Sequence, residues 1–539
     1  EEDQEEDAWN KSTAAGCCLV LLAEVAPDTI VQHVLPFVRG SISDQNNWRA
    51  REAATIAFGS ILDGPPINAL TPIIDEAVPT LRQMMAADPS AQVRDTAAWT
   101  LGRVCAVSRE TGRRHAAILA EVFVNGLRDE PPVARNACWA IHNFAMCFSS
   151  EVDSSSSPFG AFVPQFLQAL FETTVREDAS ESNLRPSAYE ALNEVIQNVP
   201  HDGLAAVSQC VPILLDRLES TFATQPTSEE AREELSELQG LLCSSLQTAT
   251  QKLRKAGVQP YADRMMTAYL KVFAQSGTGP HASVHEEALM AVAAIANEVE
   301  KDFAKYMQAF MPYLDMGLQN WEQYQVCGVA VGVVGDICRA VERDIAPYSE
   351  NIVRLLLFAL RSQELDKSIK PPIFSCFGDL AMVLGGDFEA FLAPVMTMLQ
   401  QAALSSVQAS VRPDDFDMLD WLFLLRESIF EAYTGIIQGM KGDHKEAQLV
   451  QHTPWMLQFC ELVSADNSAM DSGNAAAAEK LLGAAAGVLG DMVSSLDGLR
   501  AHVSQQQWVQ SLVSRAQKAD EQSVRETAEW ASQAIFVAQ

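Results

Sequence analysis

Tryptophans that follow a carboxylate by one helical turn are the residues of this sequence best suited to chemistry. Trp99 comes four residues after Asp95, and Trp530 comes four residues after Glu526. Residues four apart lie on the same face of a helix, so each pair places a flat indole beside a negative charge. Such a pair can bind a lysine or arginine, with the aliphatic stem on the ring and the cationic head on the carboxylate. Each cation–π contact contributes about 0.5–2 kcal/mol.

Other tryptophans repeat part of this arrangement. Trp139 occupies the position equivalent to Trp99 one repeat further along the chain, and Trp9 follows Asp7 by two residues. A tryptophan on a helix can also pack in the core, and Asp95 can also bridge neighbouring repeats, so both alternatives stay open. Recurrence at one register favours partner contact for the tryptophans that share it. Tryptophans without such an acid are expected in core or edge packing: Trp48, Trp321, Trp421, Trp455 and Trp508.

Signatures of catalysis are missing from the sequence. There is no phosphate-binding P-loop, no dinucleotide glycine fingerprint and no Gly-x-Ser-x-Gly motif. His281 and His285 stand four apart at a predicted helix start, but no third ligand is close in the sequence, so a solvated junction is favoured over a metal site. We expect no enzymatic activity, no catalytic residue, no cofactor and no metal.

The net charge limits the class of partner. The chain carries a formal charge of −32. Nucleic acid phosphates and anionic membrane surfaces would be repelled, whereas a basic protein or peptide would be attracted. No apolar run approaches the roughly 18 residues of a membrane span, so no membrane insertion is expected.

The cysteines indicate a reducing compartment. Eleven cysteines are scattered without the even spacing of a disulfide framework. Cys105, Cys138, Cys327 and Cys338 fall in apolar helical stretches, which predicts buried, reduced thiols in a cytosolic or nuclear protein. The adjacent cysteines at 17–18 have no matching thiol pair and are expected in the core.

The elements that must position these residues are paired amphipathic helices. Apolar residues recur three and four apart from Trp9 onward, with Pro, Gly, Asn and Asp between the helical stretches. After a single helix at 9–26, the pattern predicts pairs at 30–63, 67–108, 113–148, 159–199, 203–256, 259–298, 301–341, 344–384, 387–440, 446–495 and 497–538.

The spacing of sequence landmarks identifies the repeat class. Arg51 and Arg94 are 43 residues apart, and so are Gly335 and Gly378. Two helices in 40–43 residues fit HEAT or armadillo repeats and exclude the 34-residue tetratricopeptide class. The predicted fold is therefore an all-α HEAT-repeat α-solenoid, a right-handed superhelix of stacked antiparallel helix pairs.

Two recurring features are expected to build this stack. Arg51 and Arg94 open the second helix of their repeats and are expected to bridge neighbouring repeats rather than contact a partner. A small residue late in the second helix is expected to let neighbouring helices approach closely. This position holds Gly59, Gly102, Gly335, Gly378 and Gly490.

With these residues in view, the chain resembles the importin beta proteins of the karyopherin family. The segments that carry the resemblance include WRAREAA at 48–54 and VRDTAAWTLG at 93–102. The others are 33–37, 57–59, 183–190, 324–327, 426–428, 431–435 and 441–443. The resemblance extends in order over essentially the whole chain. It implies a match to the family's eighth repeat, beginning inside its acidic loop, through its nineteenth.

The resemblance implies a nuclear import receptor that shuttles between cytoplasm and nucleus through the nuclear pore. The implied partners are the basic importin-beta-binding segment of the importin alpha adaptor, Ran-GTP, Phe-Gly nucleoporins and basic cargo. The groove residues it implies are Asp7, Trp9, Glu52, Asp95, Trp99, Trp139, Glu526 and Trp530. The acidic loop it implies, which contacts Ran and the adaptor, contains Glu1, Glu2, Asp3, Glu5, Glu6 and Asp7.

The expected organisation follows the same order along the chain. Residues 1–9 form the acidic loop and 9–26 a partial first repeat. Repeats at 30–199 carry the acidic and tryptophan groove, 203–384 are the middle repeats that contact Ran by resemblance, and 387–538 close the groove. The alternative function is a HEAT-repeat scaffold that assembles other proteins without transporting them.

Overall fold

A computed structural model describes residues 11–276, 283–409, 411–412, 414–466 and 474–537. Within these ranges the chain consists of α-helices joined by turns and short 3-10 helices, and no β-strand occurs in them. The chain divides into two compact units. The first comprises Glu1–Thr227 and Leu241–Tyr261, and the second comprises Ser228–Gly240 and Ala262–Gln539.

The helices of the first unit follow the predicted pairs. They are α1 (Lys11–Val25), α2 (Pro27–Ser41), α3 (Trp48–Ser60), α4 (Ile67–Ala87), α5 (Ala91–Val107), α6 (Arg109–Arg114), α7 (Ala116–Gly126), α8 (Pro131–Met146), α9 (Val163–Thr173), α10 (Leu184–Gln197), α11 (Leu204–Thr221) and the part of α12 (Glu229–Val258) that begins at Leu241. The second helices pack in sequence, α3 on α5, α5 on α8 and α8 on α10, while the first helices α4, α7 and α9 form a second row.

The second unit repeats this arrangement. Its helices are α13 (Ala262–Ser276), α14 (Ser283–Val299), α15 (Ala304–Leu318), α16 (Tyr324–Val341), α17 (Ala346–Arg361), α18 (Lys370–Leu384), α19 (Glu389–Gln408), α20 (Phe416–Gly442), α21 (Thr453–Ala465), α22 (Ala475–Ser495), α23 (Leu499–Val503), α24 (Gln507–Ala516) and α25 (Gln522–Phe536). Helices α14, α16, α18, α20, α22 and α25 form one row, and α13, α15, α17, α19, α21 and α24 form the other.

Helix α5 illustrates why these segments fold as stacked pairs. Val93, Ala97, Leu101 and Val104 are fully buried. Their spacing of four, four and three residues places them on one helical face, which packs against neighbouring helices. Burial of each large apolar side chain contributes about 1.5–3 kcal/mol, so the amphipathic pattern itself drives the stacking.

Ion pairs join the second helix of one repeat to the connection between the two helices of the next repeat. Arg51 on α3 donates from Nε and Nη2 to the carboxylate of Asp88, at 2.8 and 2.7 Å. Arg94 on α5 makes the same paired contact with Asp129, at 2.7 and 2.8 Å. The prediction that these arginines bridge repeats is confirmed.

The environment of these carboxylates explains their acidity. Burial alone would raise the pKa of Asp88 and of Asp129. The arginine hydrogen bonds, backbone amide hydrogen bonds and nearby guanidinium charges outweigh burial and lower both pKa values. Both aspartates therefore stay ionised well into the acidic range.

Two stretches, 324–361 and 367–408, are long and apolar enough to cross a membrane by length and composition alone. Each contains two helices of the stack separated by a short connection, α16 with α17 and α18 with α19. Of the most apolar part of each stretch, 61% and 44% respectively is buried inside the fold. The buried part of each stretch packs inside the stack of repeats.

The cysteines follow the prediction with one exception. Cys105, Cys138, Cys327 and Cys338 are buried free thiols. The expectation that the pair at 17–18 lies in the core is wrong, since both thiols are exposed on α1. Helix α1 packs against α2 and α3 with other residues, of which Ala23 is fully buried.

Candidate partner-binding surface

The indole of Trp99 lies on a glycine of the preceding repeat. A Cβ atom added to Gly59 on α3 would lie 2.4 Å from Cζ3 of the Trp99 ring. The ring therefore occupies the space that a side chain at position 59 would need. Trp99 is nevertheless partly exposed, so one part of the ring packs on α3 while another remains accessible.

Trp139 and Trp530 repeat this contact. A Cβ atom added to Gly102 on α5 would lie 2.5 Å from two ring atoms of Trp139, and one added to Gly490 on α22 would lie 2.4 Å from Cζ3 of Trp530. Trp139 is partly exposed, and Trp530 is 44% exposed. The sequence predicted that a glycine here lets helices approach closely. At these three positions its role is to receive an indole.

Two carboxylates lie on the same row of helices in the first unit. Burial raises the pKa of Glu52 on α3, the charge of Asp95 on α5 raises it further, and the charge of Arg49 opposes both. Glu52 and Asp95 are therefore close enough to repel each other across neighbouring helices. Asp95 also accepts a hydrogen bond from Asn136 Nδ2 on α8, at 2.6 Å.

Together these side chains form one surface on α3, α5 and α8. We call it the indole–acid surface and define it by Glu52, Asp95, Trp99 and Trp139. Trp99 stands one turn after Asp95, and Trp139 stands three residues after Asn136, the residue that bonds Asp95. The surface thus brings two partly exposed rings and two carboxylates onto three consecutive helices of one row, and its binding of lysine or arginine stays a prediction.

An internal arginine already uses one of these rings. Cζ of Arg103 lies 6.0 Å from the centroid of the Trp99 ring, and its guanidinium also pairs with Asp63. The Trp99 ring is thus positioned for cation–π contact. The sequence did not single out Arg103, although its spacing of four from Trp99 on one helix is a signal that could have found it.

The remaining predicted residues are not part of this surface. Glu526, in the second unit, is exposed one turn before Trp530 and accepts a hydrogen bond from Gln522 at 2.7 Å. The predicted residues Asp7 and Trp9 and the acidic loop at 1–9 lie outside the described residues.

Among the residues that the structure describes, no group of three or more His, Cys, Asp or Glu side chains is arranged to hold a metal ion. His281 lies outside the described residues. His285 is buried, and burial lowers its pKa, so its imidazole is neutral at pH 7. It lines a cavity of about 720 Å³ together with Phe273, Tyr313 and Trp321.

Family models match most of the chain. A model described as importin subunit beta-1-like, TPR repeats, matches residues 118–517, and a model described as HEAT-like repeat matches 48–104. Helix α5 begins at Ala91 and helix α8, its counterpart in the next repeat, begins at Pro131. This spacing is typical of HEAT repeats and is longer than that of a tetratricopeptide repeat.

Similar proteins of known name extend the match to nearly the full chain. Importin subunit beta-1 of Arabidopsis thaliana is 41% identical over 99% of this chain and 61% of its own length. Importin subunit beta-1 of Schizosaccharomyces pombe is 35% identical, again over 99% of this chain and 61% of its own length. The chain therefore spans about three fifths of the length of these relatives.

Solved structures share the fold. A crystal structure of importin beta in an ammonium sulfate condition has a TM-score of 0.91 at 34% identity, over 99% of this chain and 61% of that one. A Kap95:Nup1 complex has a TM-score of 0.82 at 28% identity over 99% and 60%. A structure of Kap95p that describes its binding to RanGDP has a TM-score of 0.71 at 29% identity, with the same coverage.

Proposed function

The chain belongs to the importin beta-1 family, and from that premise we propose that it acts in nuclear import by binding a basic segment on its indole–acid surface. The segment is the importin-beta-binding segment of importin alpha, or an equivalent basic stretch of cargo. The family consists of transport receptors and not of enzymes. The observation that carries the proposal is the pair of indoles, each fixed on a glycine and partly exposed, on the helix row that also carries the neighbouring carboxylates of Glu52 and Asp95.

The chemistry of the surface favours a long basic helix. Indoles on consecutive helices can receive cations from successive turns of one ligand helix, and the carboxylates neutralise the charged heads. The net charge of −32 adds long-range attraction that speeds association. Glu526 and Trp530, in the second unit, are proposed as a separate contact of the same kind for a basic segment.

Further partners come from the relatives. The Kap95:Nup1 complex supports a Phe-Gly nucleoporin as partner, and the Kap95p structure with RanGDP supports Ran. We propose that Ran-GTP binding, through residues 203–384 and the acidic loop at 1–9, promotes release of the basic segment. The protein would then move between cytoplasm and nucleus through the nuclear pore. We also propose that the chain corresponds to the eighth through nineteenth repeats of the family.

A titration with a labelled peptide tests the central step. The probe is a fluorescent peptide of the importin-beta-binding segment, followed by anisotropy. We expect Trp99→Ala and Trp139→Ala each to weaken binding by at least about tenfold, which corresponds to about 1.4 kcal/mol. Trp508→Ala is the matched control, because Trp508 lies on α24 without an acid one turn earlier. Equal affinity of all three variants, at unchanged helicity, would refute the proposal.

Salt and Ran distinguish transport from scaffolding. Affinity for the peptide should fall steadily as salt rises toward half molar, because partly exposed charges are screened. Ran-GTP should displace the peptide if the chain releases cargo in the nucleus. Salt-sensitive binding that Ran-GTP leaves intact would instead favour a HEAT scaffold.

A further inference from the structure

Two serines face two arginines in the turn that follows α8. Ser149 and Ser150 lie in a short 3-10 helix, and Arg109 and Arg113 stand one turn apart on α6. Arg109 donates from Nη1 to Ser149 Oγ at 3.2 Å, and Arg113 donates from Nη2 to Ser150 Oγ at 2.8 Å. In a strongly acidic chain, this turn presents two guanidinium groups to two hydroxyls.

The guanidinium of Arg113 is held in place by several contacts. Nε donates to the carbonyl oxygen of Cys147 at 2.6 Å, and Nη1 pairs with Glu151 at 3.2 Å. Cζ lies 5.6 Å from the ring centroid of Phe148. Because the group is already positioned, little side-chain entropy remains to be lost when an anion arrives on Ser150.

Ser150 has the sequence context of a kinase substrate. Its side chain is exposed, and Glu151 and Asp153 follow at the first and third positions after it. Carboxylates at those positions suit a serine kinase whose substrate groove is basic. The neighbouring serines at 149 and 154–157 do not have acids at both positions.

We propose that Ser150 is a phosphorylation site for an acid-directed serine kinase, and that Arg113 and Arg109 receive the phosphate. The catalytic base of the kinase takes the hydroxyl proton as Oγ bonds to the γ-phosphorus of ATP. The bond between that phosphorus and the β–γ bridging oxygen breaks, and ADP leaves. The site stands on the geometry of this turn and does not depend on the proposed import function.

The phosphate changes the contacts of Glu151. A phosphoserine carries a charge of about −1.5 to −2 and binds a guanidinium through two oxygens. It therefore competes with Glu151 for Arg113 and repels it. Glu151 also accepts the hydroxyl of Ser157, so modification should loosen the segment 151–157 and speed its amide exchange.

A kinase assay on the whole 539-residue chain locates the site. With ATP and an acid-directed serine kinase of the casein kinase class, mass spectrometry should find phosphate on Ser150. Ser150→Ala should abolish this phosphate, and Asp153→Asn should slow its addition by about tenfold. Ser156→Ala is the matched control and should leave the rate unchanged. Equal incorporation into Ser150→Ala would overturn the assignment.

The phosphorus resonance of the modified chain tests the arginine contacts. Guanidinium pairing should hold the second pKa of the phosphate about 1 unit below the value near 6 of an exposed phosphoserine. Arg113→Ala should return it toward 6, whereas Arg39→Ala, which removes an exposed arginine of α2, should not. A second pKa that is the same in both variants, at equal helicity, would refute the receiving role of Arg113.

Discussion

Helices α3, α5 and α8 of the first unit and helices α16, α18 and α20 of the second unit use one glycine landmark in different ways. In the first region Gly59 and Gly102 each receive an indole. In the second region Gly335 receives the carboxylate of Asp379, and Gly378 receives the backbone of α20 at Glu431 and Ala432. The same sequence signal therefore produces an aromatic surface in one place and closely packed helices in another.

The consequence is a difference in what each region exposes. The large rings of Trp99 and Trp139 are partly exposed on the helix row that also carries Glu52 and Asp95. Where α18 meets α20 directly, no ring intervenes, and the charged side chains that line a cavity of about 390 Å³ there are Asp379, Glu427, Glu431 and Arg339. The group that packs on this glycine thus decides whether a repeat exposes aromatic rings or charged side chains.

The largest effect should come from blocking the direct contact of α18 with α20. A Cβ atom at Gly435 would lie 2.5 Å from the carbonyl oxygen of Gly378, and one at Gly439 would lie 2.1 Å from that of Ala381. Each alanine adds about 2–3 kcal/mol of overpacking and regains about 1 kcal/mol of helix propensity. The double variant Gly435→Ala/Gly439→Ala should lower the opening free energy of these helices by about 3 kcal/mol, measured by amide exchange.

A control substitution at another glycine separates the cost of overpacking from the gain in helix propensity. A Cβ atom added to Gly332 on α16 would have no neighbouring atom within 4 Å, so Gly332→Ala should be neutral or stabilise by up to about 1 kcal/mol. If the double variant behaved like Gly332→Ala, the direct contact between α18 and α20 would not hold these helices together.

The next prediction tests whether the stability of α5 and α8 depends on the ion pair between their repeats. Arg94→Ala leaves the carboxylate of Asp129 without its main partner, at a site where the two side chains are only 16% and 20% exposed. We expect a loss of about 2 kcal/mol in the opening free energy of α5 and α8, from amide exchange. Arg39→Ala, which removes a pair with Glu76 whose side chains are 62% and 67% exposed, should cost less than about 0.5 kcal/mol. Equal losses from the two variants would contradict a stabilising role for the Arg94–Asp129 ion pair between repeats.

Sequence patterns could predict the helices because the information for them is local. The four-, four- and three-residue spacing of Val93, Ala97, Leu101 and Val104 specifies a buried face without reference to any other repeat. Arg94 was also predictable as a bridge, since it recurs with the repeat period. These features explain why the repeat class and the helix pairs followed from sequence.

The partners of each side chain could not be predicted, because they lie in a neighbouring repeat, a full helix pair away along the chain. Nothing in the neighbourhood of Gly59 indicates that it receives Trp99, whereas Gly378 receives a helix backbone. Likewise, the hydrogen bond from Asn136 to Asp95 depends on how α5 and α8 align. The one-turn spacing of Asp95 and Trp99 can be read from the sequence, but the contacts of the indole–acid surface depend on the packing of three helices.

A smaller effect should come from displacing one indole without removing it. In Gly59→Ala the new Cβ would overlap the Trp99 ring, which is partly exposed and able to tilt. We expect a net loss of about 1 kcal/mol or less in stability, because the strain is partly offset by helix propensity. Affinity for the basic peptide should nevertheless fall several-fold, which is the direction expected for Trp99→Ala but a smaller effect. Unchanged affinity would mean that the ring position does not matter for binding.

The last comparison concerns the acids of the two regions and how their contributions to stability depend on pH. In the first region burial would raise the pKa of Asp129, but the Arg94 hydrogen bonds, the Glu130 backbone amide and the charges of Arg94 and Arg176 together outweigh burial and lower it. Its contribution to stability is present above the unfolded pKa near 3.9 and is lost as pH falls through the folded pKa. Asp129→Asn should therefore destabilise at pH 7, and the difference should vanish in strong acid.

Asp379 in the second region should behave in the opposite way. Burial raises its pKa, the charge of Arg339 opposes this, and the charges of Glu431 and Asp336 add to it. Its ionised form is disfavoured in the folded state, and this penalty is relieved as pH falls through the raised pKa. Asp379→Asn should stabilise by a few tenths of a kcal/mol at pH 7, since the side chain is 39% exposed and screened. The gain should disappear near pH 4 in urea titrations, and an equal gain at both values would show that charge crowding is not its cause.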